Sequence, residues 1–246
     1  MKNNLLDDIK EKSYTDKTRK FDFTVSLWVY YVTRPISFLF TRLLIPTQVN
    51  PNTVTLLSLF FAIVSLFYFS NGGYLSFIIG AFFYNIFLIF DSVDGNIARY
   101  QNKMSSRGEL LDAFVGDIAN TLIIPALLIG LIKSEKYIIV EAVIFNNPIY
   151  LFLILLSSIL YLISVLFFQR KKNLLDLTTD KVPNQLFDNP SKIIKFTLIF
   201  MRNLFGFAFM APALIFCSIF NLMIYLSIYV VLTNYLIFLF TFAYCL

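Results

Sequence analysis

Any chemistry in this chain has to be done without histidine. None of the 246 residues is His, which removes the commonest general base near neutral pH and the commonest transition-metal ligand. Cys217 and Cys245 lie in apolar runs away from other ligand types, which argues against a zinc or redox site. Carboxylates remain, and they cluster. The stretch Asp91-Ser-Val-Asp94-Gly95-Asn-Ile-Ala98-Arg99 is followed after eight residues by Gly108-Glu109-Leu-Leu-Asp112-Ala-Phe-Val-Gly116-Asp117. On a helix Asp91 and Asp94 share a face, Gly95 stands one turn after Asp91, and Ala98 one turn after Asp94. Asp112 opens a second helix that a short turn folds back on the first. Three convergent aspartates suit a hard divalent cation, Mg²⁺ or Mn²⁺. Small residues beside them admit a bulky phosphate, and Arg99 and Lys103 are placed to meet its charge.

The elements that position these residues are membrane spans. The chain is 58% hydrophobic with only 14% charged residues and a mean hydropathy of +0.74, whereas a soluble domain carries about 25% charge. A span needs about 20 mostly apolar residues, and the pattern predicts about six. These are 53–69, a second from 74 into the polar stretch at Asp91, 108–131, 150–168, and two sharing 196–246 with a division near Asn221. The apolar piece 137–145 is short, is broken by Glu141 and Asn146-Asn147-Pro148, and reads as a lead-in or an interfacial piece. With the N-terminus in the cytoplasm, Lys103, Arg107, Arg170, Lys171, Lys172, Lys181, Lys192 and Lys195 fall inside, against Lys133 and Lys136 outside, which follows the positive-inside bias. A carboxylate at that depth costs at least ~2.5–3.5 kcal/mol, so several together need a cation or a water-filled cavity.

Three regions follow. Residues 1–22 read as a polar cytoplasmic tail, with Tyr14 and Asp16 solvated. No apolar core follows a basic start, so this is not a cleavable signal. Residues 23–46, with Trp28, Tyr30, Tyr31 and the interruptions Arg34-Pro35 and Arg42, read as an interfacial amphipathic helix in preference to a spanning helix kinked at Pro35. Residues 47–246 form the transmembrane domain. The predicted class is an all-α integral membrane bundle, multi-pass, in the cytoplasmic membrane if the cell is bacterial. The net charge of +5 lies at the ends and loops of apolar runs and fits anionic lipid headgroups better than nucleic acid.

The polar stretch resembles the signature of the CDP-alcohol phosphotransferase family, Asp-x2-Asp-Gly-x2-Ala-Arg-x8-Gly-x3-Asp-x3-Asp. Asp91, Asp94, Gly95, Ala98, Arg99, Gly108 and Asp112 match in identity and spacing. Pro51-Asn52-x2-Thr55 looks like the family's segment lining the nucleotide site. The resemblance implies about six spans, a homodimer, and aspartates holding one or two divalent metals on a CDP pyrophosphate. It also implies attack of an acceptor hydroxyl on the β-phosphorus with CMP leaving, which is positioning and charge neutralisation. Metal ligands would be Asp91, Asp94 and Asp112. The nucleotide phosphates would meet Gly95, Ala98 and Arg99, with Asn52, Thr55, Lys103 and Gly108 around them. The substrates would be a CDP-linked donor and an alcohol acceptor, among membrane lipids, in phospholipid synthesis.

One signature position departs. The last Asp, to which the family's general base is ascribed, falls at Gly116, and Asp117 is its neighbour. Asp117 stands about 140° around a regular helix from Asp112. A π-bulge would bring it back, as base or fourth ligand. Glu109, three residues before Asp112, is the reserve. Other readings stay open: a transporter or cation channel using the same carboxylates, or a non-catalytic family member. Asn52 and Thr55 could also cap the first span. Lys195 and Arg202 are candidates to grip a phosphate or to snorkel, and Arg170-Lys171-Lys172 reads as a topology signal. The substrate pair is undetermined, with the loop 170–195 the place to discriminate it.

Overall fold

The computed structural model describes residues 5–134, 152, 155–164 and 209–245, and these are helices and connecting turns with no strand. The protein is an all-helical membrane bundle. Among the described residues three helices are long and apolar enough to cross a membrane: α4 (Pro51–Asn71), α5 (Tyr74–Tyr100) and α6 (Ser106–Lys133). Before them come α1 (Leu5–Ser13), α2 (Asp16–Val25) and α3 (Arg34–Leu44). After them come α7 (Leu155–Ser164), α8 (Met210–Ile219) and α9 (Met223–Cys245).

Local chemistry sets the ends of the spans. Asn50 caps α4, its side chain accepting from the Asn52 N–H at 3.0 Å, and Pro51 takes the first helical position, where its missing N–H is harmless. The cap expected at Asn52 is therefore Asn50. The helix ends at Gly72 and Gly73, both at positive φ (74° and 84°), where the chain turns straight into α5. At its far end α5 closes in a Schellman motif. Asn102 sits at φ 54°, its N–H reaching Arg99 O, while the Lys103 N–H reaches Ala98 O at 2.9 Å. Ser105 then caps α6, accepting from the Gly108 N–H at 3.1 Å.

The spans pack through small residues, as helices in lipid must. The buried stripe of α4 is Pro51, Val54, Thr55, Ser58, Ala62, Ser65 and Phe69, a 3.6-residue period. Ser65 donates to Gly80 O of α5 at 2.8 Å. A Cβ on Gly130 of α6 would run into the Phe69 carbonyl, so α4 and α6 touch backbone to backbone there. Phe77, Ala81, Phe87, Ala119, Ile123 and Leu127 fill the core with Leu214 and Leu226 of α8 and α9.

The spans expected at 53–69 and 108–131 lie inside α4 and α6, and α5 continues nine residues past Asp91 as one helix to Tyr100. The division near Asn221 is found between α8 and α9, where Asn221 takes φ 58°. The piece 137–145, the basic cluster at 170–172, Lys195 and Arg202 lie outside the described residues.

The N-terminal region corrects the expected solvated tail. Helices α1 and α3 both pack on α5, and Ile9 and Ser13 are fully buried. The amphipathic stretch 23–46 is broken at Ser26, whose backbone is extended. It resumes through a π-turn at Val29–Thr33, where the Arg34 N–H reaches back to Val29 O. That wide turn precedes Pro35, which has no N–H to continue the ladder. Helix α3 buries Arg34, Ser37, Phe38 and Thr41, with Thr33 just before it, and Tyr31, Leu39 and Leu43 are exposed on the other side. Its polar side chains thus face protein, while Leu39 and Leu43 face outward.

Candidate active site

A cavity of about 240 Å³ opens where three helix ends meet. The N-terminus of α4 brings Pro51, Asn52 and Thr55. The last turns of α5 bring Asp94, Gly95, Ala98 and Arg99. The connecting turn supplies Lys103, Met104 and Ser105, and the first turns of α6 supply Gly108, Glu109 and Asp112. Two helix N-termini therefore turn their positive dipole ends toward one space, which favours an anion.

Two glycines are explained by what lies over them. A Cβ on Gly95 would stand 3.2 Å from both terminal nitrogens of Arg99, so the bare backbone lets the guanidinium lie along the helix. A Cβ on Gly108 would stand 3.2 Å from Asn52 Oδ1 and from Ser105 Oγ, so this glycine lets α4 and α6 close on the cavity.

The carboxylates are unevenly satisfied. Asp94 is 4% exposed, lies beside Thr55, and its buried Oδ2 has no hydrogen-bond partner among the described residues. Asp91 is partly exposed and is not among the residues that line the cavity, and its carboxyl lies beside that of Asp112. Two abutting carboxyls and an orphaned carboxylate oxygen are unfavourable unless a proton or cation joins them. Among the described residues no three Asp, Glu, His or Cys side chains stand grouped so that they could hold a metal ion as placed. The all-oxygen donors and the orphaned Oδ2 nevertheless fit a hard divalent ion.

The expected π-bulge is not there. Helix α6 is unbroken α-helix from Ser106 to Lys133, so Asp117 stays on another face from Asp112. It is partly buried, outside the cavity lining, near Tyr161 of α7. Gly116 has open space over it, and a Cβ there would meet no described atom within 4 Å. Glu109 is the carboxylate that does reach the cavity rim.

What sequence reasoning missed lies behind Arg99. Its Nε donates to Ser13 O of α1 at 2.7 Å and its Nη2 to Asn96 Oδ1 at 3.1 Å. The same Asn96 oxygen accepts from Arg34 Nη1 at 3.2 Å, and its amide donates to Ser37 and Thr41 of α3. Arg34 is clamped in turn by Asp22 at 2.7 and 3.2 Å. Asn96 stands inside the polar stretch between Gly95 and Ile97, where an uncharged amide among carboxylates gave no signal of partners in α1 and α3.

A sequence profile of the family described as CDP-alcohol phosphatidyltransferase matches residues 48–232, well over half of the chain. The protein belongs to the CDP-alcohol phosphatidyltransferase family. No curated protein matches it at a significant level. Membership makes the chain a membrane transferase of the CDP-alcohol class, and the matched stretch contains every residue lining the cavity.

Proposed function

We propose that the protein transfers a phosphoryl-alcohol group from a CDP-linked donor to an alcohol acceptor at this cavity, releasing CMP, in phospholipid synthesis. The observation that carries the reading is the meeting of Asn52 and Thr55 with Asp94, Gly95, Ala98, Arg99, Gly108 and Asp112 around one space. The carboxylates of Asp91, Asp94 and Asp112 would hold Mg²⁺ or Mn²⁺, which when bound neutralises pyrophosphate charge. Arg99, Lys103 and the α4 and α6 N-termini would hold the phosphates in line for attack. The acceptor oxygen forms a bond to the β-phosphorus, and the bond from that phosphorus to the bridging oxygen breaks. CMP leaves with the bridging oxygen, and the acceptor proton passes to Glu109. The site opens toward the cytoplasm if the N-terminus lies there, and the family resemblance favours a homodimer.

The test is CMP release by the full chain in lipid nanodiscs, with Mg²⁺ or Mn²⁺, over a panel of CDP-linked donors and alcohol acceptors. Release that needs metal and both substrates supports the reading. Glu109→Gln should lower kcat about 10²-fold, as loss of a general base does. Gly116→Asp, entering open space, should restore part of it. Donor binding without turnover by any pair would instead mark a non-catalytic member, which the glycine at 116 motivates. Gradient-driven cation flux without CMP release would mark a transporter.

A further inference from the structure

We propose that Asn96, held by Arg34 and the N-terminal helix, is a positioning residue that keeps the charge of Arg99 free for the phosphates of the CDP-linked donor. This rests on the proposed function and adds a role for residues 5–41 in it. Two guanidiniums, Arg34 and Arg99, share one acceptor, the Asn96 Oδ1, in a place where Asn96 and Ser13 are 0% exposed. Arg34 is neutralised by Asp22 in a two-pronged ion pair. Arg99 is not neutralised by contact. Its partners are a backbone carbonyl and an amide oxygen, and among the described residues it makes no ion pair.

Neutral acceptors fix a guanidinium without discharging it. They take one Nη and the Nε and leave the remaining N–H groups toward the cavity that Arg99 lines. A carboxylate at position 96 would hold Arg99 equally well in geometry and would compete with substrate phosphate for its charge. An amide is therefore the side chain of that size that orients without competing. The second anchor, Ser13 O, exists only while α1 is docked. That docking depends on Ile9, which is buried to 0% exposure, and on the Tyr100 hydroxyl donating to Asp8 at 2.8 Å. The N-terminal helices thus reach the chemistry through Arg99, although none of their residues lines the cavity.

The experiment measures donor Kd by titration with the CDP-linked donor and Mg²⁺, and donor KM, acceptor KM and kcat by CMP release, in nanodiscs. Two full-length variants run beside wild type. Asn96→Asp supplies a competing carboxylate, and Ile9→Asp undocks α1 without touching Asn96 or the cavity. Each should raise donor Kd and KM about tenfold, a change of the size a charged hydrogen bond carries, with acceptor KM within about twofold and thermal melting retained. A merely structural role would lower kcat and both affinities together with the melting temperature. If Asn96→Asp does not fold, Ile9→Asp decides alone. Donor affinity within about twofold of wild type in a folded variant overturns the inference and leaves the proposed function standing. A wild-type protein that neither binds nor turns over any CDP-linked donor overturns both.

Discussion

The two parts of this molecule that meet on α5 are held by opposite means. Helices α4, α5 and α6 pack through Ser, Ala and Gly faces and a filling of Phe and Leu, with backbone against backbone at Gly130 and Phe69. The collar of α1 to α3 is pinned to α5 by polar side chains: Asp22, Arg34, Ser37, Thr41 and Asn96, buried to between 0% and 8% exposure. The first kind of interface is tolerant, since small-residue contacts degrade by increments. The second is brittle, because breaking a buried ion pair by removing one partner costs about 3–5 kcal/mol. Lipid explains the division. Between spans there is no water to expel, so close packing has to hold them. At the surface, where α3 turns its apolar side outward, the polar side is left to bind the protein.

The contrast breaks most sharply at the bundle's own site. Asp94→Asn removes a charge whose Oδ2 has no partner among the described residues. Turnover should fall by at least about 10³-fold if that oxygen binds the cation on the pyrophosphate. The fold should hold, and melting without metal should stay level or rise, because an uncompensated buried carboxylate is unfavourable. A loss of activity under tenfold would take Asp94 out of cation binding. A loss of folding would make it structural.

Next in size is Gly95→Ala. Alanine is the better helix former by about 1 kcal/mol, so thermal stability should rise slightly. The new Cβ meets the Arg99 guanidinium at 3.2 Å, so the arginine has to shift and donor KM should rise about tenfold. Stability and affinity moving in opposite directions would separate the site's needs from the helix's. An unchanged donor KM would show that Arg99 is not oriented by lying on Gly95.

How far the sequence reveals this structure follows the same divide. The bundle is legible because its information is local. Apolar runs, the Asn-Gly-Gly turn at 71–73 and the fixed spacing from Asp91 to Asp112 are each read along a continuous stretch of chain, and α4, α5 and α6 appear where those signals put them. The collar is not legible, because its partners are far apart in the chain: 62 residues from Arg34 to Asn96, 86 from Ser13 to Arg99 and 92 from Asp8 to Tyr100. Arg34 beside Pro35 reads only as an interruption of an amphipathic stretch, because periodicity shows that a face is polar, not what it meets. Asp117 misled for a related reason. A one-residue offset looks small in sequence, but on the unbroken α6 it is about 100° of rotation.

The smallest effect should come from the outermost contact of the collar. Lys12 approaches Asp8 at 3.0 Å, and its ammonium lies 5.0 Å from the centre of the Tyr100 ring. The Lys12 ammonium, and then the Tyr100 hydroxyl, hold the Asp8 carboxyl below its ordinary value of 3.8. A group whose pKa is depressed on folding favours the folded form above its unfolded value and loses that contribution as pH falls through the folded value. Docking of α1 should therefore be insensitive to pH from neutrality down to about 4 and weaken only below that. Asp8→Asn keeps an acceptor for Tyr100 and discards the attraction of Lys12. Being exposed and screened, the pair should matter little. Hydrogen exchange in α1 should quicken modestly at neutral pH and lose its acid dependence, while donor KM moves less than about twofold. If Asp8→Asn instead raised donor KM as far as Ile9→Asp does, the docking of α1 would depend on its surface charges rather than on the burial of Ile9, and the contrast between a polar inner network and a dispensable outer one would have to be redrawn.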